Sequence, residues 1–157
     1  MARGLMRALL STRVGGPETL EMTDLPMPEP KKGEIRVAVK AAGVNFPDTI
    51  IIRDLYQFKP PRPFAPGGEV AGVVDAIGDE VEGFAMGDRV LGLPIFGGFV
   101  SHICFPAISA HKIPDALPCR RLRRQRFVKG WGHIIRSFIH ARWTRQRKRN
   151  FQSRSKA

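Results

Sequence analysis

The sequence predicts a mostly β, barrel-like domain with one or two short helices, followed by a basic tail of a different kind. Three observations predict it. Apolar runs of strand length recur between Gly and Pro turns from Met6 to Ile113. All 13 prolines fall before Cys119, and they break the first part of the chain too often for long helices. The balance of charge changes abruptly at the Pro118/Cys119 step.

That step sets the domain limits at 1–118 and 119–157. Residues 1–118 hold 12 of the 26 Lys and Arg and all 14 Asp and Glu, whereas residues 119–157 hold the other 14 basic groups and no acid. The formal charge of +12 therefore comes from the tail. The 157 residues suffice for one domain with a real core. No apolar run approaches the ~20 residues of a membrane span. Cys104 and Cys119 form no disulfide framework and no metal cluster, so a reducing, cytoplasmic setting is expected. Arg3, Arg7 and Arg13 faintly resemble a mitochondrial presequence, but a first strand accounts for them as well.

Taken in order, Met6–Thr12 and Leu20–Asp24 read as strands around a Gly15-Gly16-Pro17 turn. Pro26, Pro28 and Pro30 make an extended connector. Residues 34–41 alternate polar and apolar, the period of a strand with one wet face. Further strands are expected at Glu69–Ile77, Val81–Phe84, Arg89–Leu93 and Phe99–Phe105, with a short one near His111-Lys112-Ile113. Gly72 permits a bulge or a close backbone approach.

The stretch from Ala41 to Gly72 joins these parts. Asn45 is a good helix N-cap and Asp48, three residues on, can complete a capping box. Pro47 is harmless in a first turn, and Thr49–Ile52 supply the short helix. Pro60, Pro61, Pro63 and Pro66 hold the following loop extended, and Gly67-Gly68 lets the chain turn into the next strand.

The strings Ala42-Gly43-Val44-Asn45-Phe46-Pro47-Asp48, Tyr56, Pro66-Gly67-Gly68-Glu69-Val70-Ala71-Gly72 and Gly87-Asp88-Arg89-Val90 carry a family resemblance. From about Met6 to Pro118 the chain resembles the N-terminal GroES-like domain of medium-chain dehydrogenases/reductases, in the zinc-independent, quinone-oxidoreductase-like branch. The resemblance implies a partly open GroES-like barrel. In zinc-dependent members a cysteine ligand stands where this chain has Asn45, and a histidine ligand where it has Gly68. An amide and a glycine replace neither, so no zinc is expected. The implied reaction is hydride transfer from NADPH to a quinone or enone. Asn45 would orient the nicotinamide, Tyr56 would hydrogen-bond a substrate oxygen, and Asp48 and Glu69 would stand nearby, with Asp48 also on the cofactor side.

Each of these residues also has a plainer reading. Asn45 and Asp48 serve equally as a helix cap, Tyr56 can pack on the proline loop, and Glu69 can pair with Arg53 or Arg89. His102 and His111 lack ligand spacing. Ser101, His102 and Asp88 supply the letters of a hydrolase triad without a nucleophile elbow.

The resemblance further implies a nucleotide-binding domain after about Pro118, yet no Gly-x-Gly-x-x-Gly occurs in the 157 residues. NADPH binding by this chain alone is therefore not expected. The basic tail is expected to be disordered or loosely helical, with Val128, Trp131, Ile135 and Phe138 at helical spacing. A frameshift after residue 118 is the expected origin of its composition. The alternative is a binding module whose tail grips nucleic acid or an anionic membrane surface; no specific partner of either kind is expected.

Overall fold

The computed structural model describes residues 4–114, and the tail expectations for 119–157 lie outside them. Leu5–Ser11 (β1) pairs antiparallel with Leu20–Pro26 (β2), from Leu5 opposite Pro26 to Ser11 opposite Leu20. A short 3-10 turn at Pro17–Thr19 sits between them. Glu34–Ala42 (β3), Val70–Ile77 (β4), Arg89–Gly92 (β5), His102–Pro106 (β6) and Ala110–Lys112 (β7) form a five-stranded antiparallel sheet in the order β6-β3-β4-β5-β7. Backbone bonds from Leu9 N to Phe99 O (2.9 Å) and from Ser101 N to Arg7 O (2.7 Å) tie β1 to the segment entering β6. The result is a curled half-barrel. Its one α-helix among the described residues is Phe46–Ile51 (α1). None of the described helices is long and apolar enough to cross a membrane.

Alternation decides what lies inside. In β3, Ile35 and Val37 are fully buried while Glu34 and Arg36 keep partial access to solvent. They meet Val70 and Val74 of β4, Val90 of β5, and Ile103 and Phe105 of β6 in the main core. The residues are mostly β-branched or aromatic, which suits a pleated, half-buried surface.

Gly72 shows why a strand interior holds a glycine. It lies opposite Val39 beside a register shift between Val39 and Ala41. A Cβ there would stand 2.3 Å from the Ala38 carbonyl oxygen, so the two backbones approach too closely for any side chain.

Two expected strands need correction. Val81–Phe84 is irregular, because the chain turns left-handed just before it at Glu80 (φ 58°) and again within it at Gly83 (φ 78°); Val81 and Phe84 still pack on the core. The expected run from Phe99 becomes strand only at His102, since Phe99 and Ser101 bond to β1 instead.

Replacing Gly72 by Ala should lower stability by about 1–3 kcal/mol, the usual cost of overpacking. Thermal unfolding followed by circular dichroism measures it; an unchanged midpoint would show that β3 and β4 can separate freely.

Candidate functional site

The site is built on the start of α1. Asn45 is the N-cap, in extended conformation, and Pro lies in the first turn. The Asn45 N–H donates to Asp48 Oδ2 at 2.8 Å, the acidic half of a capping box. Asp48 Oδ1 accepts from the Gly67 N–H at 3.0 Å. One carboxylate thus joins the helix start to the hinge that opens β4. Gly67 has φ 104° and leaves no room for a Cβ against Phe99, so both its conformation and its packing call for glycine.

Asp48 is 6% exposed. Burial pushes its carboxyl above the ordinary value of 3.8, the backbone N–H groups of Asn45, Gly67 and Gly68 pull it back, and the Glu69 charge adds to the rise.

Glu69 faces the same point. Asn45 Nδ2 donates to Glu69 Oε2 at 3.2 Å. Gly43 donates its N–H to the Glu69 carbonyl at 2.9 Å, and a Cβ on Gly43 would lie 2.5 Å from Glu69 Oε2. Glu69 therefore pairs with the Asn45 amide; Arg53 Nη1 bonds the Thr49 carbonyl at 2.6 Å and Arg89 Nη1 the Pro114 carbonyl at 3.1 Å. The structure brings Asn45, Asp48 and Glu69 together. Tyr56 belongs to a neighbouring cluster, half-buried against Leu20, Ile51, Ile52 and Phe64.

Phe96 joins that cluster, 5.7 Å from the ring of Phe58 and edge-on to Phe64 at 6.0 Å. The turn carrying Phe96 lies over the hinge through Gly97 N to Ala65 O (2.7 Å) and Gly98 N to Gly67 O (2.9 Å). Phe46, Leu55 and Ile95, next to Asn45, Tyr56 and Phe96 in the chain, are each at least 70% exposed.

Zinc prefers thiolate and imidazole, and an amide, a glycine and two carboxylates already engaged by backbone N–H groups and the Asn45 amide do not fit it. Among the described residues no three His, Cys, Asp or Glu gather into a metal site.

Sequence reasoning missed Arg62 and Asp75. Arg62 Nη2 lies 2.7 Å from Asp54 Oδ1 and donates to the Ile52 carbonyl at 3.0 Å, while its guanidinium covers the Phe64 ring at 5.4 Å. No periodicity marks such a pair, because it forms across the proline loop. Asp75, and not Asp88, stands by His102: His102 Nε2 is 3.4 Å from Asp75 Oδ2, and Ser101 Oγ is 3.1 Å from His102 Nδ1. Arg36 Nε also holds Asp75 at 2.9 Å, and the Arg7 N–H bonds Ser101 Oγ at 2.9 Å. These bonds stitch strands together on the sheet surface. Asp88 pairs with Lys112 at 2.8 Å, and that bond holds its carboxyl below the ordinary range. On β6, opposite Arg36, half-buried Cys104 has its thiol pushed up to about 11, by burial first and then by the Glu34 charge.

Asp48→Asn should cost about 1–3 kcal/mol, because an amide offers one acceptor oxygen to two backbone donors. The raised carboxyl also gives the effect a pH dependence. Below 3.8 the carboxyl is protonated in both folded and unfolded chains, and the proton-linked part of its contribution is fully present; as pH rises through the higher folded value that part is lost, while the bonds from Asn45 and Gly67 remain. The stability gap between wild type and Asp48→Asn should therefore narrow with rising pH in denaturant titrations. A gap that widens would contradict the burial argument.

Comparison with known proteins adds an independent view of this arrangement. Residues 31–115 match the family model described as the alcohol dehydrogenase GroES-like domain. A mouse synaptic vesicle membrane protein VAT-1 homolog-like is 37% identical over 110 residues, covering 70% of this chain and 26% of that protein. The human quinone oxidoreductase is 39% identical over 121 residues, covering 74% of this chain and 37% of the relative. A mycobacterial protein solved in complex with NADPH superposes with a TM-score of 0.67 at 34% identity, over 73% of this chain and 36% of that one. The chain thus spans well under half the length of these relatives. It belongs to the alcohol dehydrogenase GroES-like domain family, among the quinone-oxidoreductase-like members of the medium-chain dehydrogenases/reductases.

Proposed function

We propose that the described domain is the substrate-facing half of an NADPH-dependent quinone or enone reductase that works without zinc in the cytoplasm. The observation that carries the reading is the Asn45 amide, tethered to Glu69 at 3.2 Å where a zinc-dependent relative needs a metal ligand. The quinone oxidoreductases among its relatives, and the one solved with NADPH, support the choice of substrate and cofactor.

A bound NADPH would supply the hydride for reduction of a quinone or enone, with water as the source of the proton. The chain's own part is positioning. Asn45 orients the nicotinamide, and its side chain cannot swing freely while Glu69 accepts from Nδ2. Asp48 acts through Asn45, since backbone N–H groups occupy both its oxygens. Tyr56 donates a hydrogen bond to the substrate oxygen; with a free phenol pKa of about 10, orientation suits it better than acid catalysis. Phe46, Leu55 and Ile95 supply apolar surface against which water is excluded.

The 157 residues contain no glycine fingerprint for a dinucleotide pyrophosphate, so the chain alone should not hold NADPH. Fluorescence titration should show no micromolar binding, and a saturable micromolar signal would overturn that part. Joining residues 1–118 to the nucleotide-binding part of the human quinone oxidoreductase should yield NADPH-dependent quinone or enone reduction that chelators leave unchanged. In that fusion Tyr56→Phe should lower kcat/KM about tenfold, the weight of a single net hydrogen bond. A folded fusion that binds NADPH and reduces neither substrate would sink the proposal.

A further inference from the structure

We propose that Arg62 and Asp54 form a strap that positions Tyr56, an inference that deepens the reading of Tyr56 given above and rests on it for its functional meaning. The Tyr56 ring packs against the apolar cluster that contains Ile52 and Phe64. Arg62 holds both: its Nη2 donates to the Ile52 carbonyl at 3.0 Å, and its guanidinium lies 5.4 Å above the Phe64 ring. The same Nη2 meets Asp54 Oδ1 at 2.7 Å, two residues before Tyr56. One cation thus secures the wall behind the ring and the backbone that carries it.

The pair is placed to work as more than a surface ion pair. The Arg62 and Asp54 side chains are 18% and 31% exposed, so water screens them only in part. Arg62 Nε and Asp54 Oδ1 are both buried without a hydrogen bond of good geometry, so the two side chains are held together by opposite charge at 2.7 Å while the guanidinium also grips the Ile52 carbonyl. Asp54 has φ 58°, a left-handed turn that redirects the chain after α1, directly ahead of Leu55 and Tyr56. The strap fixes that turn from outside.

The test uses the full 157-residue chain and the fact that Tyr56 is its sole tyrosine. With carbon-13 in the tyrosine ring, NMR gives one set of ring signals, displaced from free tyrosine by packing on the apolar cluster. Arg62→Leu should move these signals toward free tyrosine and speed nitration of the ring by tetranitromethane several-fold. Arg62→Lys should restore part of the native shift, because an ammonium can still reach Asp54. Asp54→Asn is the second variant. Asparagine tolerates the left-handed turn, so it removes charge without straining the backbone, and it should move the Tyr56 signals in the same direction as Arg62→Leu.

Methyl signals of Val37, Val74 and Val90 report the main core. Native core signals with a displaced Tyr56 support the strap. Tyr56 signals that stay put in Asp54→Asn and in a folded Arg62 variant overturn it. Loss of core and Tyr56 signals together, in both variants, also overturns it in favour of a general structural role. No arm needs NADPH or quinone, so an inactive fusion would count against the reductase reading and leave the strap standing.

Discussion

The arrangement depends on a buried carboxylate between two backbone amides. Asp48 accepts from Asn45 at the start of α1 and from Gly67 at the hinge, and each bond is charge-assisted. Without it, the first turn of α1 would be tied to the start of β4 only by the Asn45–Glu69 bond and by packing, while β3 and β4 stay joined through the sheet and the Gly43–Glu69 backbone bond. The cost is a negative charge held out of water, visible in the upward push on its carboxyl. Glu69, a second carboxylate on the other side of Asn45, adds to that cost and steadies the amide in return. The folded chain carries this local strain in exchange for a fixed Asn45.

Most of the fold was legible because its cues are local. Alternation in residues 34–41 marks β3, and the spacing of Asn45 and Asp48 marks the cap of α1. Gly72 reads as a close approach from its place inside an apolar run, and the Ala38 carbonyl provides it. Reading failed where tertiary contact overruled a run of residues. Val81–Phe84 has strand composition but a left-handed turn precedes it at Glu80 and another breaks it at Gly83, and Phe99–Ser101 serves β1 before β6 begins. Neither competition leaves a trace in a window of a few residues.

The site divides in the same way. Asn45, Asp48 and Glu69 were identifiable from motif strings, and the structure adds which atom holds which. Asp54 with Arg62, and Asp75 with His102 and Arg36, were invisible because each pairing spans a loop or crosses between strands. The triad letters show the hazard. Ser101 and His102 do touch, but the acid beside them is Asp75, shared with Arg36 in a lattice of strand-to-strand bonds.

Cys104 carries a consequence for handling electrophiles. Quinones arylate thiolates, and a thiol whose pKa is pushed up to about 11 is ionised in only on the order of one molecule in ten thousand at neutral pH. Desolvation on β6, reinforced by the Glu34 carboxylate, thus leaves this sulfur chemically quiet.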